Sequence, residues 1–253
     1  MIDLASLPWS LWQAIRGGRA SATVDADGHG DFSSIQAAVE FVEARGGGTV
    51  FIRAGTYYEA VSVTENYVHI IGEGWNTIID GNGIASGQYQ VTFTSVVGCS
   101  ISNLKIQGTA GQSANYGNLN SATSDDILFF RVWSKDSDDT AMLIGGGATV
   151  IACRVDNPDG AGIQTGAVDV ANGDVPIVIA CHVDGAATAG LGFNADTSDY
   201  SIGVANVMTN NNKGIAIGGS DAYCLVVGNL CTLNSTEIEN LGTGTVNANN
   251  QSV

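Results

Sequence analysis

Between Ser102 and Cys231 the chain repeats one short line of alternating hydrophobic and polar positions six times. The lines are Ser102–Ile106, Leu128–Val132, Ile151–Val155, Ile179–Val183, Val204–Met208 and Val227–Cys231, with central residues 26, 23, 28, 25 and 23 positions apart. A period of two along each line describes a strand and not a helix. One short strand per repeat, at a period in the twenties, marks a solenoid whose coils stack on one another. A second apolar column, Ile163, Leu191, Ile215 and Ile238, drifts in the same way at spacings of 28, 24 and 23. Earlier runs at Thr49–Ile52, Val68–Ile71 and Thr77–Asp80 join the stack, with corners at Gly72-Glu73-Gly74 and Asp80-Gly81-Asn82-Gly83. At about 4.8 Å per coil, roughly eight turns predict a rod about 40 Å long.

Two segments keep a helical period instead. Residues 33–45 carry an S-x-x-Q capping box (Ser33, Gln36), an apolar face of Ile35, Ala38, Val39 and Val42, and a stop at Gly46-Gly47-Gly48. A solenoid end exposes strand edges and raw core, so this helix is the predicted lid. Residues 1–22 form a separate apolar segment. Leu4, Leu7, Leu11 and Ile15 fall on one helical face beside Trp9 and Trp12. That segment either packs on the solenoid or docks into an assembly. Residues 23–253 read as one all-β domain, a parallel β-helix with an N-terminal capping helix.

Inside the coils, Cys153 and Cys181 take equivalent inward places, and Asn206 and Asn229 share one inward column. The thiols are expected to be reduced core residues and the asparagines to hydrogen-bond along the stack. Asn210, Asn211 and Asn212 fall beyond the strand and are expected to make a corner, while His69 and His182 are expected on the surface.

Composition narrows the function. Hydrophobic residues make up 44% of the 253, which excludes a disordered chain. A net charge of −16, from nine basic and 25 acidic residues, argues against nucleic-acid and anionic-membrane partners. No apolar run approaches membrane-spanning length. The N-terminus lacks a basic region and a long apolar stretch, so synthesis in a cytoplasm without a signal peptide is expected. Five cysteines at these positions do not make a secreted disulfide framework.

The candidate chemistry lies where acids gather on neighbouring coils. Asp156 and Asp184 each follow an inward cysteine by three residues and should stack. Paired carboxylates cleave glycosidic bonds when about 5–5.5 Å or about 6.5–9.5 Å apart, so these two are the catalytic candidates. Asp136, Asp138 and Asp139 lie just beyond the preceding line, and Asp159 follows Asp156. Trp133 stands outward near them, able to stack on a sugar face. Trp133, Asp136, Asp139 and Asp159 are therefore the substrate-binding candidates, and Tyr116 and Tyr200 are placed in loops. The same acids also suit solvated corners, because aspartate bonds its own backbone. A calcium bridge between oxygen-rich corners is a third option, and no other cofactor or metal is expected.

The stretch Val24–Val39, with its Asp27-Gly28-His29-Gly30-Asp31-Phe32-Ser33-Ser34-Ile35-Gln36 core, resembles the opening of pectin methylesterases. Gly55-Thr56-Tyr57-Tyr58-Glu59 and Gly72-Glu73-Gly74-Trp75-Asn76-Thr77 resemble two further segments of that family. The resemblance covers residues 24–83 and points to the pectin-lyase-like superfamily. It implies a right-handed, single-stranded parallel β-helix, a fold shared with phage tailspike-like proteins. The esterases' aspartate-phenylalanine-isoleucine-phenylalanine-glycine strand and glycine-arginine-proline-tryptophan motif do not occur, the nearest strand being Asp126–Phe130. The arginine and calcium aspartates of pectate lyases have no counterpart. Gly28-His29-Gly30 matches the polygalacturonase glycine-histidine-glycine in letters alone, since it precedes the cap helix. No catalytic residue is carried over. The expectation is a phage- or virus-like tailspike or fibre protein, trimeric, recognising a cell-surface glycan and carried on a virion. The alternatives are a polysaccharide hydrolase or lyase using the aspartates, and a structural spacer without a ligand.

Overall fold

The computed structural model describes residues 20–82, 88–108, 117–145, 147–165, 175–193, 201–218 and 223–252. Each coil runs through three short arms. The first and second arms form one 17-stranded sheet, and the third forms an 8-stranded sheet facing it. Pairing through the body is parallel, as in Ile151 on Ile179, Asp156 on Asp184 and Ile163 on Leu191. The apolar column Ile163, Leu191, Ile215 and Ile238 stacks residue on residue, as its spacing predicts.

The repeated line is not one straight strand. Between the first and second arms sits one residue in the left-handed region: Asn103, Arg131, Ala152, Ala180, Ala205, Gly228 and Asn249, with φ between 53° and 67°. A single non-glycine residue there costs about 1–2 kcal/mol, and the ladders on both sides hold each bend in place. Ile151–Val155 thus splits into the strand ends Thr149–Ile151 and Arg154–Asp156. The bend also corrects one alignment. Leu104 pairs with Val132, not Phe130, so the first two spacings become 28 and 21. Phe130 points outward and is 38% exposed.

One interior position then reads Leu104, Val132, Cys153, Cys181, Asn206 and Asn229 down the stack, and all six are buried. Burial holds the Cys153 thiol well above the ordinary thiol range, and Cys231 is pushed up to about 12 by burial and by the charge of Glu237. All five cysteines are free and buried. Where the column turns to asparagine it becomes a ladder. Asn206 Oδ1 accepts from the Cys181 N–H at 2.9 Å, and Asn229 Oδ1 accepts from the Asn206 N–H at 2.9 Å. Their Nδ2 groups donate to Val178 O and Gly203 O at 3.0 Å each, so the buried amides are satisfied. A second ladder runs beside it. Asn210 makes the expected corner at φ 53°, but Asn211 is buried and its Oδ1 accepts from the Ala186 N–H at 2.8 Å.

The lid is helix α1, Ile35–Glu43, with Ile35, Ala38, Val39 and Val42 buried. Its cap differs from the predicted box. Ser34 is the N-cap, and Glu59 from the next coil takes the Ile35 and Gln36 N–H groups at 2.7 and 3.0 Å and the Ser34 hydroxyl at 2.7 Å. A carboxylate suits the positive end of a helix, and Gln36 is left to bind Ser62 instead. The first strand among the described residues is Ala20–Val24, which pairs with Gly48–Ile52. Residues 1–19 of the predicted 1–22 segment lie outside the described residues, as do Tyr116, Tyr200 and Gly83 of the predicted loops and corners.

The outer surface differs from arm to arm. Two columns face outward on the first arm. One reads Phe130, Ile151, Ile179, Val204, Val227 and Ala248. The other reads Leu128, Thr149, Ile177, Ile202, Leu225 and Val246. Past the bend, the second arm turns mostly polar.

Candidate functional site

Two outward columns of the second arm gather the polar chemistry. The first runs Lys105, Trp133, Arg154 and His182, each directly over the next. The second runs Gln107, Lys135, Asp156 and Asp184. Parallel strands about 4.8 Å apart carry identical side-chain directions, so this stacking follows from the register alone.

Trp133 is the centre of the first column. Its ring lies 5.3 Å from that of Trp75, tilted by 59°. Lys105 Nζ sits 5.2 Å and Arg154 Cζ 5.3 Å from the Trp133 ring centroid, one on each neighbouring coil. Cations at this range are drawn to the ring's negative face. Each indole is oriented by one bond: Trp133 Nε1 donates to Asp156 Oδ2 at 2.9 Å, and Trp75 Nε1 donates to Arg131 O at 3.3 Å. Trp75 is still 44% exposed. The acidic chain thus concentrates its few cations here. Of the nine, Arg16 and Arg19 lie outside the described residues; of the other seven, Lys105, Arg131, Lys135 and Arg154 stand on the strands around Trp133.

Asp156 and Asp184 do stack in register. Asp156 is 7% exposed, and both its oxygens are engaged, Arg154 Nε donating at 3.0 and 2.8 Å. Asp184 Oδ1 accepts from Thr209 Oγ1 and from Asn210 Nδ2, each at 2.7 Å. Burial pushes the Asp184 carboxyl up, but those two bonds and the charges of His182 and Arg154 outweigh it and hold it below the ordinary aspartate range. Asp136 behaves alike: burial raises it, while bonds from Lys135, Gln107 and Asn157 prevail and lower it. A carboxylate held low serves as an ionised acceptor and not as a proton donor at neutral pH.

The remaining candidates lie at the edge of this platform, Asp136 joined to its second column through Gln107 and Lys135. Asp136 occupies the left-handed bend that ends the second arm, at φ 50°. Asp139 and Asp159 are exposed beyond it, on the turn toward the third arm. Asp139 lies against Gly160, where an added Cβ would meet its Oδ1 at 2.6 Å. Among the described residues no three acidic, histidine or cysteine side chains gather as metal ligands. Sequence reasoning singled out Trp133 but missed Lys105, Arg154 and Trp75. Aligning the second line on Phe130 placed Arg131, instead of Trp133, beside Lys105. Alignment on Val132 brings Lys105, Trp133 and Arg154 into one column, which Trp75 meets only through its ring.

The pectinesterase family model matches residues 21–146. Pectinesterase 2 of Citrus sinensis is 30% identical over 133 residues, covering 49% of this chain and 26% of that protein. Pectinesterase 2 of Arabidopsis thaliana is 27% identical over 197 residues, covering 70% of this chain and 32% of that protein. The chain therefore spans about a quarter to a third of these relatives. Among solved structures, a GH136 lacto-N-biosidase from Eubacterium ramulus aligns over 96% of this chain and 57% of its own, with TM-score 0.68 and 13% identity. The pectin methylesterase of Aspergillus niger aligns over 94% of this chain and 87% of its own, with TM-score 0.58 and 12% identity. The fold is that of the pectin-lyase-like superfamily. Within this pectin-lyase-like β-helix, the matched stretch ends shortly after Trp133 and Asp136, ahead of both stacked aspartates.

Proposed function

We propose that this β-helix binds a polysaccharide across the second arm, with Trp133 and Trp75 as an apolar platform and Lys105 and Arg154 as partners for an acidic sugar. The observation that carries the proposal is the Trp133 ring held between two cations on a chain of net charge −16. A hexuronate ring offers an apolar face to the indole and a carboxylate to the flanking cations. The names of the relatives, pectinesterases acting at their own sites, support a polysaccharide as the ligand class. In this reading Asp156 is a positioning residue for Trp133 and Arg154, and Asp136, Asp139 and Asp159 border the site. A tailspike- or fibre-like setting on a virion belongs to the same proposal and rests on fold analogy.

The test is affinity electrophoresis and calorimetry with polygalacturonate against neutral dextran. Polygalacturonate retards the protein, dextran does not, and retardation weakens between 50 and 200 mM salt because the contacts are charged. Trp133→Ala weakens binding by about tenfold, corresponding to about 1.4 kcal/mol. Equal binding by the variant, or no retardation by polygalacturonate, overturns the reading.

A second reading keeps Asp156 and Asp184 as catalytic groups, favoured by their direct stacking on adjacent coils. It predicts new reducing ends or unsaturated products from a polysaccharide, abolished by Asp184→Asn. The low-held Asp184 carboxyl weighs against an acid role for that residue.

A further inference from the structure

From Leu128 onward the first arm is apolar on both faces, whereas its earlier rungs carry Ser21, Thr49, His69, Ser100 and Ser102 on the outside. Val150, Val178 and Val226 point into the core, while eleven of the twelve outward positions from Leu128 and Phe130 to Val246 and Ala248 are also apolar, Thr149 being the exception. Strands that read as near-continuous apolar runs are those covered on both sides. From Leu128 and Phe130 to Val246 and Ala248 no position in these two outward columns is ionisable, on a chain of net charge −16, and His69 stands two rungs before Leu128. The second arm, one bend away, carries the cations and acids described above.

We infer that this stripe is the contact face for a second copy of this chain, packed side by side along the coil stack. Three observations select that occupant. The first is charge. Two copies of a strongly acidic chain repel, and a face without ionisable groups is where they can approach. The second is length. The stripe continues to the far rim, where Val246 is 53% exposed, whereas the chain's own apolar segment 1–19 enters beside Ser21 at the opposite rim. The Leu128 rung stands four strand spacings from Ser21 and the Leu225 rung eight, about 19 and 38 Å, so nineteen residues at a helical rise, about 28 Å, would leave Ile202, Leu225 and Val246 uncovered. The third is area. Six rungs of three residues make a stripe of about 300 Å² from these spacings. Counted on both copies, that is about 600 Å² of the roughly 1,600 Å² in a standard interface, matching an apolar centre inside a polar rim. Identical rung spacing on the two copies lets the side chains of one stripe settle between those of the other.

The experiment is sedimentation equilibrium of the full chain at low and high salt, with Ile179→Lys and Thr149→Lys as probes. The parent sediments at twice the chain mass, and its association strengthens with salt as the repulsion is screened. Each variant dissociates at least tenfold more readily while keeping its strand circular dichroism. Thr149→Lys changes the one polar position of the stripe, so it reports even where a lysine at 179 impairs folding. Polygalacturonate binding has the opposite salt dependence and lies on the other arm, so either result can fail without the other. A parent that stays monomeric at about 100 µM overturns the inference. In that case hydroxyl-radical footprinting names the true occupant: a stripe protected in the monomer means that segment 1–19 covers it, and a labelled stripe means a different partner.

Discussion

Trp133 owes its position to neighbours on three coils. Lys105 and Arg154 flank the ring, Asp156 holds the indole N–H, and Trp75 leans against it. None of these neighbours is close to Trp133 in sequence, although the two cations, like Trp133 itself, follow the shared interior column by one residue. Trp133 was legible as an outward aromatic because the strand period alone decides its side. Its partners were not, because an error of two residues in one line moves every cross-coil neighbour. Asp184 illustrates the same limit. The sequence places it on Asp156, but only the structure adds the Thr209 and Asn210 bonds that decide its protonation. Those bonds make a testable pH dependence. The folded-state carboxyl titrates below its unfolded value of about 3.9, so the native state binds fewer protons through that range. Its stabilising effect is complete above about pH 4 and is lost as pH falls through the lowered value. Urea melts from pH 6 to pH 2 should show stability declining below about pH 4. Asp184→Asn should lower stability at pH 6 and flatten part of that decline; an unchanged decline would show that these bonds do not set it.

The coil is legible at the scale of elements because its interior column tolerates only what fits a repeated slot. Leucine, valine, cysteine and asparagine succeed one another there, and the two stacked strand columns of the sequence already predict the parallel architecture. What the period could not reveal was the left-handed residue inside each line, since Arg131, Ala152 and Ala180 carry no signal for that conformation. Nor could it reveal that the helix cap arrives from another coil through Glu59. Both points lead to stability predictions. Glu59→Gln keeps the shape but removes the charge facing two helix N–H groups, and should cost about 1 kcal/mol, read as a lowered midpoint in urea. Asn229→Ala removes the acceptor for the buried Asn206 N–H and for its Nδ2, bonds of 2.9 and 3.0 Å. At about 1–3 kcal/mol for each donor left unpaired, the loss should be about 2–6 kcal/mol. Asn250→Ala, at a ladder position that reaches Asn229 from the outermost coil, should cost less because water can enter there. Equal losses at the two positions would mean that the ladder is not the source of the stability.

Among the described residues the two ends of the coil stack are unlike, and in a solenoid such asymmetry governs how the stack opens. Each coil is held by its two neighbours alone, so stability is close to a sum of nearest-neighbour terms. At one end α1 buries four apolar side chains over the first coils. At the other, among the described residues, Thr236–Asn240 and Val246–Ala248 each pair with a strand on one side only, and Leu233, Leu241 and Val246 are 73%, 63% and 53% exposed. A rung with one neighbour has about half the interface of an interior rung, so opening should start there and travel inward. Amide hydrogen exchange should therefore be fastest at Val246–Ala248, slower at Leu225–Val227, and slowest in the middle rungs at Val150 and Val178. The sign of a second effect separates inward fraying from all-or-none unfolding. Asn229→Ala weakens the coupling between the last coils and the rest, so it should accelerate exchange on the far side of residue 229 while leaving Ile101 and Val150 near their original rates. If it instead speeds every coil by one common factor, the rod opens as a single unit and the nearest-neighbour description of its stability does not hold.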